Sequence, residues 1–260
     1  MPFLVLPALI PDIRAVYDVY FAAFTADADG RRLLDILFPG GVTSTEFRDA
    51  HTKGTLAWWH TSDTQYTFKC LDSDTGEVVG MALCDVFVNP RGEKERAMPE
   101  VGWLQGRDKE RAERVLGTLW RARERIWGGG RYIYIHAFAV HPKHQGRGAG
   151  AALVQALIDL SESTGLPIYL ESSPGSQGLY KKMGFMQVPG EVARVVHEAA
   201  VLGTEKDVEV PLMIKLPASI TGSSSETGKS VEEVYLDWYR RRDIGDEKAN
   251  GTGETKVRRQ

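Results

Sequence analysis

Ile13, Val16, Tyr17, Tyr20, Phe21 and Phe24 recur at helical spacing, and the pattern predicts a first helix over about Asp12–Thr25 with Asp12 as its N-cap. Residues Arg31–His60 read as one or two shorter helices ending in Trp58, Trp59 and His60. The period then changes. QYTFKCL and EVVGMALCDVFV are rich in β-branched and aromatic residues and flank DSDTG, the composition of a hairpin turn, so Asp72 and Asp74 need no catalytic role. From Asn89 to Gly130 the chain makes a charge-dense excursion that carries Trp103, Trp120 and Trp127. It predicts a helix over about Lys109–Trp127 with a solvated charged face. RYIYIHAFAV follows as an unbroken apolar run, the pattern of a central strand covered on both faces.

Helix Gly148–Ser163, strand Pro167–Glu171, helix Ser176–Met183, strand FMQV and a last strand VEVPLMIK complete a βαβ rhythm. The prediction is an α/β chain with one domain over residues 1–216, carrying a helical insertion at about 89–130. Beyond Pro217, SITGSSSETGKS has linker composition, and in VEEVYLDWYRRR the side chains Val231, Val234, Tyr235 and Trp238 share a helical face. That helix is expected to dock on the domain, on a partner or on a second copy. The tail after Asp243, ending residues 217–260, is expected to be disordered.

Composition narrows the function. With 42% hydrophobic and 26% charged residues over 260 positions, the chain can bury a full core. A formal charge of -3, from interspersed acids and bases, argues against nucleic acid or an anionic membrane as partner. Cys70 and Cys84 lie in apolar strands and read as reduced, buried thiols, which points to the cytoplasm. Pro2, Pro7 and Pro11 interrupt the apolar N-terminus, which reads as strand and turn, not as a signal peptide.

HPKHQGRGAGAALVQALIDL, starting at His141, places three glycines where a helix must nucleate. Glycine costs about 1 kcal/mol against alanine inside a helix, so close backbone approach to a ligand is the leading explanation. A P-loop is excluded because no Lys-Ser or Lys-Thr follows the glycines. Gly146, Gly148 and Ala151 satisfy a dinucleotide fingerprint, but His141–Gln145 separate them from the strand, whereas a dinucleotide turn follows its strand directly. His141 and His144 lack a third ligand, so no metal is expected.

The stretch resembles the acetyl-CoA signature of the GCN5-related N-acetyltransferase (GNAT) superfamily, with Gln145, Gly148 and Gly150 at its fixed positions. SPGSQGLYKKMGF resembles the family's second signature, with Leu179, Tyr180, Gly184 and Phe185 in register and Ser173 where many members carry asparagine. The resemblance implies a mixed sheet of about six or seven strands with helices on both faces. It also implies a direct N-acetyltransferase that takes acetyl-CoA as co-substrate, with a small-molecule primary amine as acceptor. A protein N-terminus or lysine, or non-catalytic acyl-CoA binding, are the alternatives. Amides from Gln145, Gly146, Arg147, Gly148, Ala149 and Gly150 would face the diphosphate, helped by the helix dipole. Main-chain groups of Phe138, Ala139 and Val140 would line the pantetheine, with Ser173 and Ser176 nearby.

Acyl transfer needs a free amine, a donor to the developing oxyanion and a proton for the leaving thiolate. Strand alternation puts Tyr132, Tyr134, His136 and Phe138 on one face, making His136 an inward-facing candidate base. IHAFAVH resembles the corresponding strand of arylalkylamine N-acetyltransferases, although Tyr134 stands in place of the first of their two histidines. By the second signature, Tyr180 is the candidate acid at the coenzyme sulfur. The tryptophans are expected near the acceptor side, either lining an aromatic pocket or packing the inserted helix.

Overall fold

The protein is described by a computed structural model over residues 3–190, 193–227, 229–230 and 232–240. Its strands are β1 (Phe3–Pro7), β2 (Gln65–Asp72), β3 (Val78–Phe87), β4 (Tyr132–Val140), β5 (Ile168–Glu171), β6 (Met186–Gln187), β7 (Val195–His197), β8 (Val208–Val210) and β9 (Leu212–Lys215). Seven of them form one sheet in the order β1-β2-β3-β4-β5-β9-β6, while β7 and β8 pair separately. Only the β4–β5 pair in the large sheet is parallel. The sequence VEVPLMIK, expected as one strand, divides at Pro211 into β8 and β9, because proline has no N–H for a ladder.

Helices α1 (Ile13–Ala26), α2 (Ala28–Leu37), α3 (Thr45–Thr61) and α4 (Gly106–Trp127) precede β4. Helices α5 (Ala149–Thr164), α6 (Gln177–Lys182), α7 (Ala199–Leu202) and α8 (Ala218–Thr227) follow it. One face of the sheet is covered by α5 and α6, whose Leu153, Leu157 and Tyr180 pack on Cys84, Ile133 and Ile135. On the other face α1 covers Met81, Leu83 and Ala139, and α4 covers Tyr132, Tyr134 and Tyr169. Among the described residues no helix is long and apolar enough to cross a membrane.

Two local expectations differ. Asp12 does not cap α1; its carboxylate closes a turn onto the Leu9 amide at 2.8 Å and pairs with Lys69 Nζ at 2.7 Å. The sequence after Pro217 is not an irregular linker, since Ala218–Thr227 is helical and the Ala218 amide donates to Glu162 at 2.9 Å. The tail after Asp243 lies outside the described residues.

Residues 232–240 form a further helix, α9, whose apolar face is already occupied. Val234 and Tyr235 are buried beside Trp127 and Leu216, and the Trp127 and Trp238 rings lie 5.6 Å apart. The helix is thus a part of the core on the α4 side, and not a free docking surface. Truncating a buried aromatic costs about 3–5 kcal/mol, whereas a solvated position costs about 0.5 kcal/mol or less. Tyr235→Ala is expected to lower unfolding stability in urea by the larger amount; a change at the smaller level would detach α9 from the core.

Candidate active site

The parallel ladder between β4 and β5 runs Ile133↔Ile168, Tyr134↔Tyr169, Ile135↔Leu170 and then stops. Beyond Ile135 the two strands part, because Ser172 turns its amide to Pro211. At the same point β4 carries one extra residue. Leu83 pairs with Ala137 and Cys84 with Ile135, leaving His136 as a bulge with no opposite number on β3. A bulge shifts side-chain parity by one. Tyr132 and Tyr134 therefore face α4, whereas Phe138 packs with Tyr180 on the opposite face. The single face expected for Tyr132, Tyr134, His136 and Phe138 is thus split in two, and His136 is an exposed residue at the split, not an inward-facing one.

The shift also re-aims the backbone. His141 N–H donates to Val79 at 2.8 Å, which fixes the phase of the antiparallel ladder beyond the bulge. In that phase the N–H and C=O groups of Phe138 and Val140 point away from β3, toward the gap. Those of Ala139, expected beside them as a coenzyme contact, turn to Met81 on β3. The outward Val140 carbonyl accepts from Gln145 Nε2 at 3.0 Å, so the Gln145 side chain ties the glycine loop to the strand.

That loop delivers an uncapped helix. Gly148, the N-cap of α5, sits at φ 100° and no side chain caps the first turn, so the amides of Gly148, Ala149, Gly150 and Ala151 are left to an outside acceptor. The three glycines serve different needs. Gly146 (φ 73°) and Gly148 have left-handed backbone with open space where a Cβ would lie, while a Cβ on Gly150 would meet Leu179 at 3.3 Å. The first two thus shape the loop and the third seats α5 against α6. Arg147 is drawn back to the sheet, donating to buried Asp72 at 3.0 Å and lying 2.8 Å from His144 Nδ1. Among the described residues no His, Cys, Asp or Glu group is arranged to hold a metal.

Tyr180 projects from α6 with only 4% of its surface exposed, between the rings of Phe138 and Phe185. Its hydroxyl has no hydrogen-bond partner among the described residues, and burial pushes its pKa up, so it stays protonated. Ser173 and Ser176 bond to each other at 2.9 Å at the entrance to the same helix.

On the α4 side of the gap lies a cluster that sequence reasoning missed. His136 Nε2 is 2.5 Å from Asp85 Oδ2, and Thr64 donates to the other Asp85 oxygen at 2.7 Å. Burial favours the neutral Asp85 carboxyl, but the His136 and Thr64 hydrogen bonds and the Arg123 charge hold its pKa below the usual range. The Tyr134 ring lies 4.2 Å from the His136 ring, and its hydroxyl donates to Glu171 at 2.8 Å. Arg123 of α4 lies over Tyr134 and 3.7 Å from Glu171 Oε1. Burial raises the Glu171 pKa despite that cation. The signal was an aspartate between buried Cys84 and half-buried Val86 in an otherwise apolar strand.

The tryptophans and thiols are occupied elsewhere. Trp127 stacks on Tyr132 at 4.3 Å, Trp120 donates to the Arg96 carbonyl and Trp103 to that of Leu37, while Trp58 and Trp59 pack around α1. Cys70 and Cys84 are free and buried, and burial pushes the Cys70 thiol up to about 11.

Comparison with known proteins agrees with this architecture. The pattern of the acetyltransferase (GNAT) family matches residues 29–185. Probable acyltransferase SID5 of Ajellomyces capsulatus is 31% identical over 134 residues, 51% of this chain and 90% of that protein. A mosquito arylalkylamine N-acetyltransferase like 5b superposes with a TM-score of 0.55 at 17% identity, covering 82% of this chain and 99% of that one. A putative arylalkylamine N-acetyltransferase 7 from the yellow fever mosquito gives 0.56 at 14%, over 82% and 87%. The two structures share the fold, and the family match over residues 29–185, which spans both signatures, makes this chain a member of the GNAT acetyltransferase family.

Proposed function

We propose that the protein transfers an acetyl group from acetyl-CoA directly to the primary amine of a small molecule. The observation that carries the reading is the gap beyond Ile135↔Leu170, which has on one face a phenol without a hydrogen-bond partner among the described residues and on the other an exposed imidazole. The residues present suit the coenzyme: uncapped amides at Gly148–Ala151 for the diphosphate, and outward main-chain groups of Phe138 and Val140 for the pantetheine arm. When bound, the coenzyme supplies an acyl carbon activated as a thioester.

The chain's own groups then divide the work by face. His136 takes a proton from the ammonium form of the acceptor, on the side of Asp85 and Tyr134. The outward Phe138 N–H donates to the acyl oxygen as negative charge grows there. Tyr180, kept protonated by burial, gives its hydroxyl proton to the departing sulfur and is restored by the second proton that the attacking nitrogen sheds as the amide forms. In support of a small acceptor, α4 covers Tyr132, Tyr134 and Tyr169, leaving His136 as the exposed titratable side chain of β4.

Because the Tyr180 hydroxyl has no partner to orphan, Tyr180→Phe is expected to fold normally and to lower kcat about 100-fold with acetyl-CoA affinity nearly unchanged. Equal loss of binding and turnover would make Tyr180 a packing residue. Gly148→Val has room for its side chain but cannot adopt φ 100°, so calorimetry should register no acetyl-CoA binding by a folded variant. Retained binding would remove the loop from the site. Coenzyme A release measured against arylalkylamines, polyamines and N-terminal peptides tests the acceptor: turnover of small amines is expected, and activity confined to peptides would overturn it.

A further inference from the structure

We infer that Asp85 is a positioning residue, which orients the His136 ring and selects the tautomer that makes Nδ1, not Nε2, the proton-accepting atom of the acceptor site. The inference rests on the acyl-transfer reading above. It concerns a carboxylate that neither signature includes.

The geometry is specific. His136 is the bulged residue of β4, so its backbone has no rung on β3, and the contact that fixes its side chain is the one to Asp85. Asp85 is itself immobilised. Its side chain is 14% exposed, and Thr64, just ahead of β2, donates to Oδ1 at 2.7 Å, leaving Oδ2 to face Nε2. A carboxylate only accepts, so Nε2 carries the proton, and in the neutral ring Nδ1 presents its lone pair. Nδ1 has no partner among the described residues, and 32% of the His136 side chain is open.

The surrounding charges suit this role. Tyr134 flanks the ring from the same strand, Glu171 of β5 accepts from the Tyr134 hydroxyl, and Arg123 of α4 lies over the Tyr134 ring. The Asp85 carboxylate is the charged group in direct contact with the imidazole. As His136 takes a proton from the amine, that carboxylate stabilises the imidazolium. No covalent step is involved: the amine loses one proton, and Nδ1 gains it.

Asparagine at position 85 gives a sharp test. The Thr64 hydroxyl would hold the amide oxygen, turning the amide nitrogen and its protons toward Nε2, which favours the opposite tautomer. Two-dimensional NMR of the ¹⁵N-labelled imidazole, on the protein without substrate, reads the tautomer directly. Nε2–H is expected in the native protein and Nδ1–H in Asp85→Asn. Turnover of the asparagine variant should fall at least about tenfold in kcat with little change in amine KM, and Asp85→Glu should restore part of it. Nδ1–H in the native protein overturns the inference, and that spectrum needs no variant to fold. An inverted tautomer with unchanged kcat overturns it equally. Failure of the native enzyme to acetylate any amine would instead count against the transfer reading, since the spectrum does not depend on turnover.

Discussion

The bulge at His136, which coincides with the last rung between β4 and β5, sets the hydrogen bonds and the faces of everything around it. Before it, the odd residues of β4 pack under α5 and the even ones under α4. After it the order reverses, with Phe138 toward α6 and Ala139 toward α1. One extra residue thereby decides which main-chain groups face the gap between two interior strands of the sheet. Without the bulge, the outward main-chain groups would belong to Ala137 and Ala139.

Around that opening the molecule keeps two polar environments apart. The α5–α6 side holds an uncapped helix end and a phenol buried among aromatic rings. On the α4 side, two carboxylates, an arginine, a tyrosine and a histidine crowd together, and each carboxylate responds to its own partners. Asp85 is held ionised by the donors that reach it, whereas burial of Glu171 outweighs the arginine beside it. The buried Tyr180 phenol and the exposed His136 imidazole thus lie on opposite sides of the sheet.

Much of this was legible in the residues. The periodicity from Ile13 to Phe24, the hairpin around DSDTG and the run RYIYIHAFAV located α1, β2–β3 and β4, and both glycine-bearing signatures fell where α5 and α6 begin and end. The bulge was not legible, because apolar and aromatic residues occupy both faces of β4 and a parity change leaves no break in such a run. Asp85 was hidden by its apolar neighbours, and its value comes from a residue 51 positions away. The Ser- and Gly-rich stretch after Pro217 looked like a linker, since local composition does not show that Glu162 waits to receive its first amide.

Residue-resolved amide exchange with and without acetyl-CoA tests the open edge most directly. The account predicts that the coenzyme slows exchange at Phe138 and Val140 and along Gly148–Ala151, while Ala139, already bonded within the sheet, changes little. Unchanged exchange at Phe138 and Val140 in a protein saturated with the coenzyme would contradict it.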